Sequence, residues 1–234
     1  NDRWIPAAVD LGEQALSTAI ERAGIAKERL GAIFFVSITG IASPSIDARL
    51  INRMGLPLNI KRVPIFGLGC VAGAAGVARA ADYVRAFPDQ AAAVVSVELC
   101  SLTLQRDDLS IANLISSGLF GDGAAAVLVA GFEVNCQGPR IQATRSVFYP
   151  GTEEVMGWEI SEKGFKIVLS REVPVVVEQY LARDVDAFLA VEGLTRADIG
   201  SWILHTGGPR VLEATQTALA LPSGALDASW HCLR

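Results

Sequence analysis

Phe66-Gly-Leu-Gly-Cys-Val-Ala-Gly-Ala-Ala-Gly76 runs from an apolar residue through two glycines and a cysteine into a string of small residues. The preceding residues, Val63–Phe66, read as a short strand, and the run after Cys70 reads as an Ala-rich helix. Gly67 and Gly69 allow the tight turn that joins them, and Gly73 and Gly76 let neighbouring backbone come close. The stretch is therefore a strand, a sharp turn carrying Cys70, and a helix. Whether the chain repeats that alternation decides its fold class.

It does so in both directions. On the N-terminal side, apolar residues at helical spacing predict a helix over Ile5–Ala23, with Gly24 as its stop. Ala32–Val36 is a continuous apolar run, the pattern of a strand covered on both faces. A helix is expected around Ile46–Met54. On the C-terminal side, Ala92–Val97 and Ala124–Ala130 read as further buried strands. This alternation predicts an α/β layered architecture. A seam near 131–139 divides it into an N-terminal half, 1–131, and a C-terminal half, 132–234. In the second half the sequence predicts a strand at Phe165–Leu169 and a helix from Pro174 to about Ala190. A strand at Trp202–His205 and a helix from Pro209 to Ala220 follow.

Composition narrows the function classes. Hydrophobic residues make up 51% of the 234 and charged residues 19%, enough for a large core burying roughly three quarters of the unfolded surface. No apolar run approaches the ~18 residues of a membrane span. Asn1 opens a mixed polar segment with no leader-like pattern, so a cytoplasmic location is expected. The net charge is −5, without a Lys/Arg cluster, which argues against nucleic acid and for small-molecule or protein partners. The cysteines at 70, 100, 136 and 232 include no CxxC pair. Neither a metal site nor a disulfide framework is expected.

Two segments carry chemistry. At a helix start, Cys70 meets backbone amides and the positive end of the dipole, which favours thiolate. Ile203-Leu-His-Thr-Gly-Gly-Pro-Arg brings His205 to a glycine turn ahead of a helix, where an imidazole can take or give a proton near neutral pH.

Four segments resemble the chalcone synthase-like, or type III polyketide synthase, family. GLGCVAGAAG at 67–76 is similar to its nucleophile segment, and HTGGPRVL at 205–212 to its His-x-Gly-Gly-Pro signature. LFGDGAAA at 119–126 and VELCSLT at 97–103 match its gatekeeper loop and the segment lining its starter-acyl pocket. The resemblance implies a thiolase-like layered αβαβα fold of two related halves, acting as a homodimer. It implies acyl-CoA and malonyl-CoA as substrates, with coenzyme A thioesters but no resident cofactor. By matching position, Cys70 is the nucleophile and His205 its partner. Phe120 is a gatekeeper, Cys100 and Thr103 line the pocket, Ile167 stands where a second gatekeeper phenylalanine is usual, and Ser43 stands where family members push a loop residue into the partner subunit's cavity, which serine leaves with a thinner wall. Cys100 also reads as a small core residue. Asp122 reads as a turn-capping carboxylate and His231 as an ordinary strand residue. Lys61, Arg62 and Arg210 read as solvated surface, with CoA phosphates as the alternative.

Some features depart from the family pattern. The family completes its triad with an asparagine in a later Gly-Asn motif, and those at 1, 52, 59, 113 and 135 lie in other contexts. The chain thus reads as a piece of a longer protein, short at both ends and incomplete in its C-terminal half. Ile167 and Cys100 replace an aromatic and a hydroxyl, which favours a fatty acyl starter and an alkylpyrone or alkylresorcinol-like product. A ketoacyl synthase initiating fatty-acid synthesis and a non-catalytic acyl-binding subunit are the alternatives. His205-Thr-Gly-Gly-Pro departs from the His-Gln-Ala-Asn typical of the former.

Overall fold

The computed structural model describes residues 2–162 and 164–233, so Asn1 lies outside it. The chain packs as two compact units. The first contains the stretch ending at Arg106 together with Phe120–Thr144, and the second contains Asp107–Leu119 and the stretch from Arg145 on. The sequence puts the seam at 131/132; the packed units divide after Thr144, and 107–119 joins the second.

The first unit is a three-layer sandwich. Its sheet is formed by β1 (Leu30–Val36), β2 (Lys61–Ile65), β3 (Ala91–Leu99) and β4 (Asp122–Ala130), in the order β2-β1-β3-β4. The first three strands are parallel, and β4 runs antiparallel to β3. Parallel neighbours need crossovers, supplied here by α2 (Ile46–Met54) and α3 (Ala72–Ala86). Because side chains alternate along a strand, β3 serves both layers. Ala91, Ala93, Val95, Val97 and Leu99 join a core with α1 (Trp4–Ala23) and α2. Ala92 and Val94 face α3 through Ala72, Ala80 and Val84. Each fully buried Leu or Ile, such as Leu16, Ile33 and Leu50, contributes about 1.5–3 kcal/mol. The helix ends follow the sequence signals: Gly24 and Gly55 cap α1 and α2 in the left-handed region, at φ 62° and 60°.

In the second unit, β5 (Met156–Ser161) and β6 (Gly164–Leu169) form an antiparallel hairpin. The helix α4 (Ile111–Leu119) packs on β6, and α5 (Val173–Val191) packs on α6 (Pro209–Ala218). Neither α4 nor β5 was evident in the sequence pattern. Two expectations need correction. Trp202–His205 forms no strand: among the described residues no strand pairs with it, Leu204 N donates instead to Ser229 Oγ at 2.9 Å, and Ile203 is 83% exposed. His231 lies in a helix, α7 (Asp227–Leu233), and not in a strand.

Candidate active site

Three parallel strands end at one edge of the sheet, and that edge gathers the chemistry of the first unit. Val36 pairs with Ile65 on β2 and with Ser96 on β3. Just beyond this row lie Ser37–Gly40, the Phe66–Val71 turn and Glu98–Thr103. Gly67 and Gly69 take positive φ, 87° and 57°, so the tight turn expected at these glycines forms. Cys70 sits in a single 3₁₀ turn, Gly69–Val71, that runs into α3. The small residues of α3 serve close packing on the sheet. A Cβ at Gly76 would stand 2.9 Å from Val94 Cγ1 and 3.4 Å from Val36 Cγ2.

Glu98, which sequence reasoning passed over, projects from β3 at this edge. Its carboxylate accepts from Ile38 N at 3.0 Å, Thr39 N at 3.1 Å, Thr39 Oγ1 at 2.8 Å and Ser37 Oγ at 3.3 Å. The available signal was a single carboxylate near the end of a strand that is otherwise apolar except for Ser96. Burial raises the Glu98 pKa, and these four donors oppose the rise. Its charge also bears on the thiols. Cys70 is exposed as a residue, yet the protein packed around its sulfur, and then Glu98, push its pKa up. The expected lowering by the helix start is thus overturned in this unit, since desolvation and a like charge outweigh the backbone amide. Cys100 is pushed up to about 12 by burial, Glu98, Asp122 and Cys70. Cys70 is thus close enough to Cys100 to add to the rise of its pKa.

Other sequence-singled residues resolve into local roles. Asp122 accepts from Ser101 N at 2.8 Å and Ser101 Oγ at 2.6 Å, fastening the Cys100 turn to β4. Thr103 is buried, and its hydroxyl donates to Cys100 O at 2.8 Å, so it serves the turn. Phe120 is half-buried just before β4, and Ser43 is exposed in the loop after β1. Arg62 pairs with the fully buried Asp47 at 2.6 Å, and Lys61 lies over the Phe87 ring at 4.2 Å. Both cations are thus engaged by the protein itself; Arg210 is exposed.

The second unit holds His205 and Ile167. The His205 imidazole lies against Gly207, where a Cβ would meet its Cδ2 at 3.2 Å. Gly208, at φ 126°, turns the chain into Pro209 at the start of α6. A side chain at either glycine would disturb the ring or the turn. Burial lowers the His205 pKa, favouring neutral imidazole at pH 7. Ile167 is buried in β6 opposite Trp158. Among the described residues, no group of three or more His, Cys, Asp or Glu side chains could hold a metal ion. No helix among them is long and apolar enough to cross a membrane.

The chain is 50% identical, over its whole length, to a 1,3,6,8-tetrahydroxynaphthalene synthase of Streptomyces peucetius subsp. caesius, of which it covers 62%. It is 30% identical over 98% of its length to the alpha-pyrone synthesis polyketide synthase-like Pks18 of Mycobacterium tuberculosis, covering 58% of that protein. The chain thus spans roughly three fifths of the length of these relatives. Its fold matches the crystal structure of the Streptomyces coelicolor 1,3,6,8-tetrahydroxynaphthalene synthase, a bacterial type III polyketide synthase, with a TM-score of 0.92 at 33% identity. That match covers 97% of this chain and 64% of the other. It identifies the mixed α/β architecture as the thiolase-like fold of those enzymes. The family model for the N-terminal domain of chalcone and stilbene synthases matches residues 3–132, and that for the C-terminal domain matches 140–234. The chain therefore belongs to the chalcone and stilbene synthase family.

Proposed function

We propose that the protein is a type III polyketide synthase that condenses malonyl-CoA units onto an acyl group held as a thioester on Cys70. The observation that carries this reading is Cys70 at the glycine turn into α3, together with His205 at its own glycine turn, in a chain of this family. Neutral His205 takes the proton of the Cys70 thiol, giving thiolate and imidazolium. The thiolate attacks the carbonyl carbon of a starter acyl-CoA, the acyl C–S bond to CoA breaks, and CoA leaves as its thiolate. Malonyl-CoA loses carbon dioxide, and the electron pair left behind forms an enolate. That enolate attacks the Cys70 thioester, a carbon–carbon bond forms, and the Cys70 thiolate departs. Reloading the lengthened chain repeats the cycle. A donor such as the imidazolium stabilises the enolate oxygen. Coenzyme A thioesters are substrates here, and the steps draw on no resident cofactor.

The product favoured is a folded poly-β-keto chain closed to a hydroxylated aromatic. Oxygens at positions 1, 3, 6 and 8 of naphthalene, as in the name of the 50%-identical relative, have the alternation of such a chain. A second reading, a fatty acyl starter giving an alkylpyrone or alkylresorcinol, is supported by Ile167 and Cys100, which offer neither an aromatic wall nor a hydroxyl. We place Phe120, Cys100, Thr103, Ile167 and Ser43 along the acyl path. We also assign the protein to a cytoplasmic homodimer; half-exposed Phe66, Leu68 and Val71 around Cys70 give a partner copy apolar surface to cover. Membership of the chalcone and stilbene synthase family sets the ketoacyl synthase alternative aside.

The test is to incubate the full-length gene product, and its Cys70→Ala variant, with labelled malonyl-CoA and a panel of acyl-CoA starters, and to identify products by mass spectrometry. A hydroxynaphthalene from malonyl-CoA alone supports the first product reading, and pyrones or resorcinols with a fatty starter support the second. If Cys70 is never acylated and malonyl-CoA is not consumed, the acyl-binding subunit replaces both.

A further inference from the structure

We propose that Tyr149 is a positioning residue for the acyl path: its phenol latches the loop ahead of β5 onto α5, and that latch fixes the base of the hairpin that carries Ile167. The inference deepens the reading of Ile167 as part of that path and rests on it. It begins with the spacing along α5. Tyr180, Arg183 and Asp184 stand three and four residues apart, on one face of the helix. Asp184 offers one carboxylate oxygen to each of two neighbours. Arg183 Nε donates to Oδ1 at 2.8 Å, and Tyr149 Oη donates to Oδ2 at 2.6 Å. The Tyr149 ring stacks on Tyr180, with centroids 4.9 Å apart and planes 23° from parallel. Arg183 in turn lies 5.2 Å from the centre of the Tyr180 ring.

The chemistry of the pair suits a permanent tie. The Asp184 side chain is 12% exposed, so little water competes for it. The Tyr149 pKa is pushed up to about 12 by the protein packed around the phenol and then by Asp184. Hydrogen bonds from Arg183 and then Tyr149 hold Asp184 below its ordinary value. Donor and acceptor therefore keep their protonation states around neutral pH, and a hydrogen bond to an ionised acceptor is roughly twice as strong as a neutral one. The preceding residue, Phe148, is 78% exposed, so Tyr149 is the ring that this loop turns inward.

A closed ring of contacts carries the latch to the hairpin. Thr152 Oγ1 donates to Tyr149 O at 2.8 Å, with Gly151 at φ 71° making the turn between them. Val155 N donates to Thr152 O at 3.0 Å, and Ser170 N donates to Val155 O at 2.9 Å. Val155 runs directly into β5. Ser170 follows β6, and its hydroxyl accepts from Glu172 N at 3.1 Å at the entry to α5. The chain itself thus ties β6 to α5, and Tyr149 ties β5 to the same helix. The first rung of the hairpin, Met156–Leu169, is two residues from the Trp158–Ile167 pair, about 7 Å along the strand. Without the latch β5 keeps its partner strand and loses its hold on the helix, which frees the hairpin to tilt about β6.

The test uses the full-length gene product and reads steady-state kcat and KM for each acyl-CoA starter, malonyl-CoA among them. In Tyr149→Phe, which removes the hydroxyl and keeps the ring, KM for the preferred starter rises about three- to tenfold while kcat stays within about twofold, the pattern of lost binding. An unchanged KM overturns the proposal, and so does a fall in kcat alone, which is what a smaller folded fraction gives. Asp184→Leu produces the same rise, and combining it with Tyr149→Phe adds nothing, because both changes remove one interaction. Additive shifts overturn the latch. Deuterium exchange tests the latch whether or not the protein turns over. The β5 amides exchange about tenfold faster in Tyr149→Phe, as local opening does when a tie is lost, and wild-type protection there overturns the latch. Ile167→Ala on the same starters separates the two claims. If its KM values match wild type, the acyl-path reading fails and the proposal with it; if they move while those of Tyr149→Phe do not, the reading stands and the role of Tyr149 alone is refuted.

Discussion

Replacing Gly76 by alanine should destabilise the protein, although alanine is the better helix former. In an exposed helix the change would gain about 1 kcal/mol. Here the new methyl would stand 2.9 Å from Val94 Cγ1 and 3.4 Å from Val36 Cγ2, whereas carbon atoms prefer about 3.5–4.0 Å. Val94 is β-branched and 4% exposed, so it has little rotameric freedom and nowhere to retreat. Overpacking of this kind costs roughly 1–3 kcal/mol, which leaves a net loss of about 0–2 kcal/mol after the propensity gain. The diagnostic is a double-mutant cycle with Val94→Ala. That change alone removes two buried methyl-sized groups and costs about 2 kcal/mol. In its background the overlap is gone and the Gly76→Ala methyl fills part of the space, so Gly76→Ala becomes stabilising. Thermal unfolding of the four proteins reads the cycle, at about 2–4 °C per kcal/mol for a chain of this size. Additive effects, or a Gly76→Ala that raises Tm in the wild-type background, would refute the close-approach argument.

Two further predictions concern charge. Arg62→Met strands the fully buried Asp47 carboxylate without its cation and costs about 3–5 kcal/mol. Arg53→Met, which breaks exposed pairs with Asp10 and Glu13, lowers Tm far less, because solvent screens both charges; equal losses of Tm in the two variants would show that Asp47 is not the liability its burial implies. Because burial lowers the His205 pKa, its imidazole should titrate by NMR below the ordinary 6.5. Any stability tied to the neutral ring is then present above that ordinary value and is lost as pH falls through the folded-state pKa. A midpoint above 6.5 in the unliganded protein would contradict this.

The sequence determined the elements whose local signals agree. The Gly67 and Gly69 turn, the apolar runs of β1 and β3, and the glycine stops of α1 and α2 stand where residue pattern alone puts them, because each depends on backbone sterics and side-chain period. It also determined the family, through the segments around Cys70 and His205. Elements that depend on partners were not legible. Trp202–His205 has the composition of a strand, yet among the described residues no strand lies beside it to pair, and Leu204 N turns to Ser229 Oγ. Likewise α4 and β5 are held by packing on β6 more than by a periodic pattern. At the candidate site, the helix-start argument for Cys70 used only its own segment. Strand register decided that Glu98, 28 residues on in sequence, stands on the same face, and burial of the thiol, with the Glu98 charge adding to it, outweighs the amides of one turn. Local chemistry is written in the chain, whereas the electrostatics of a site belong to whatever the fold brings alongside it.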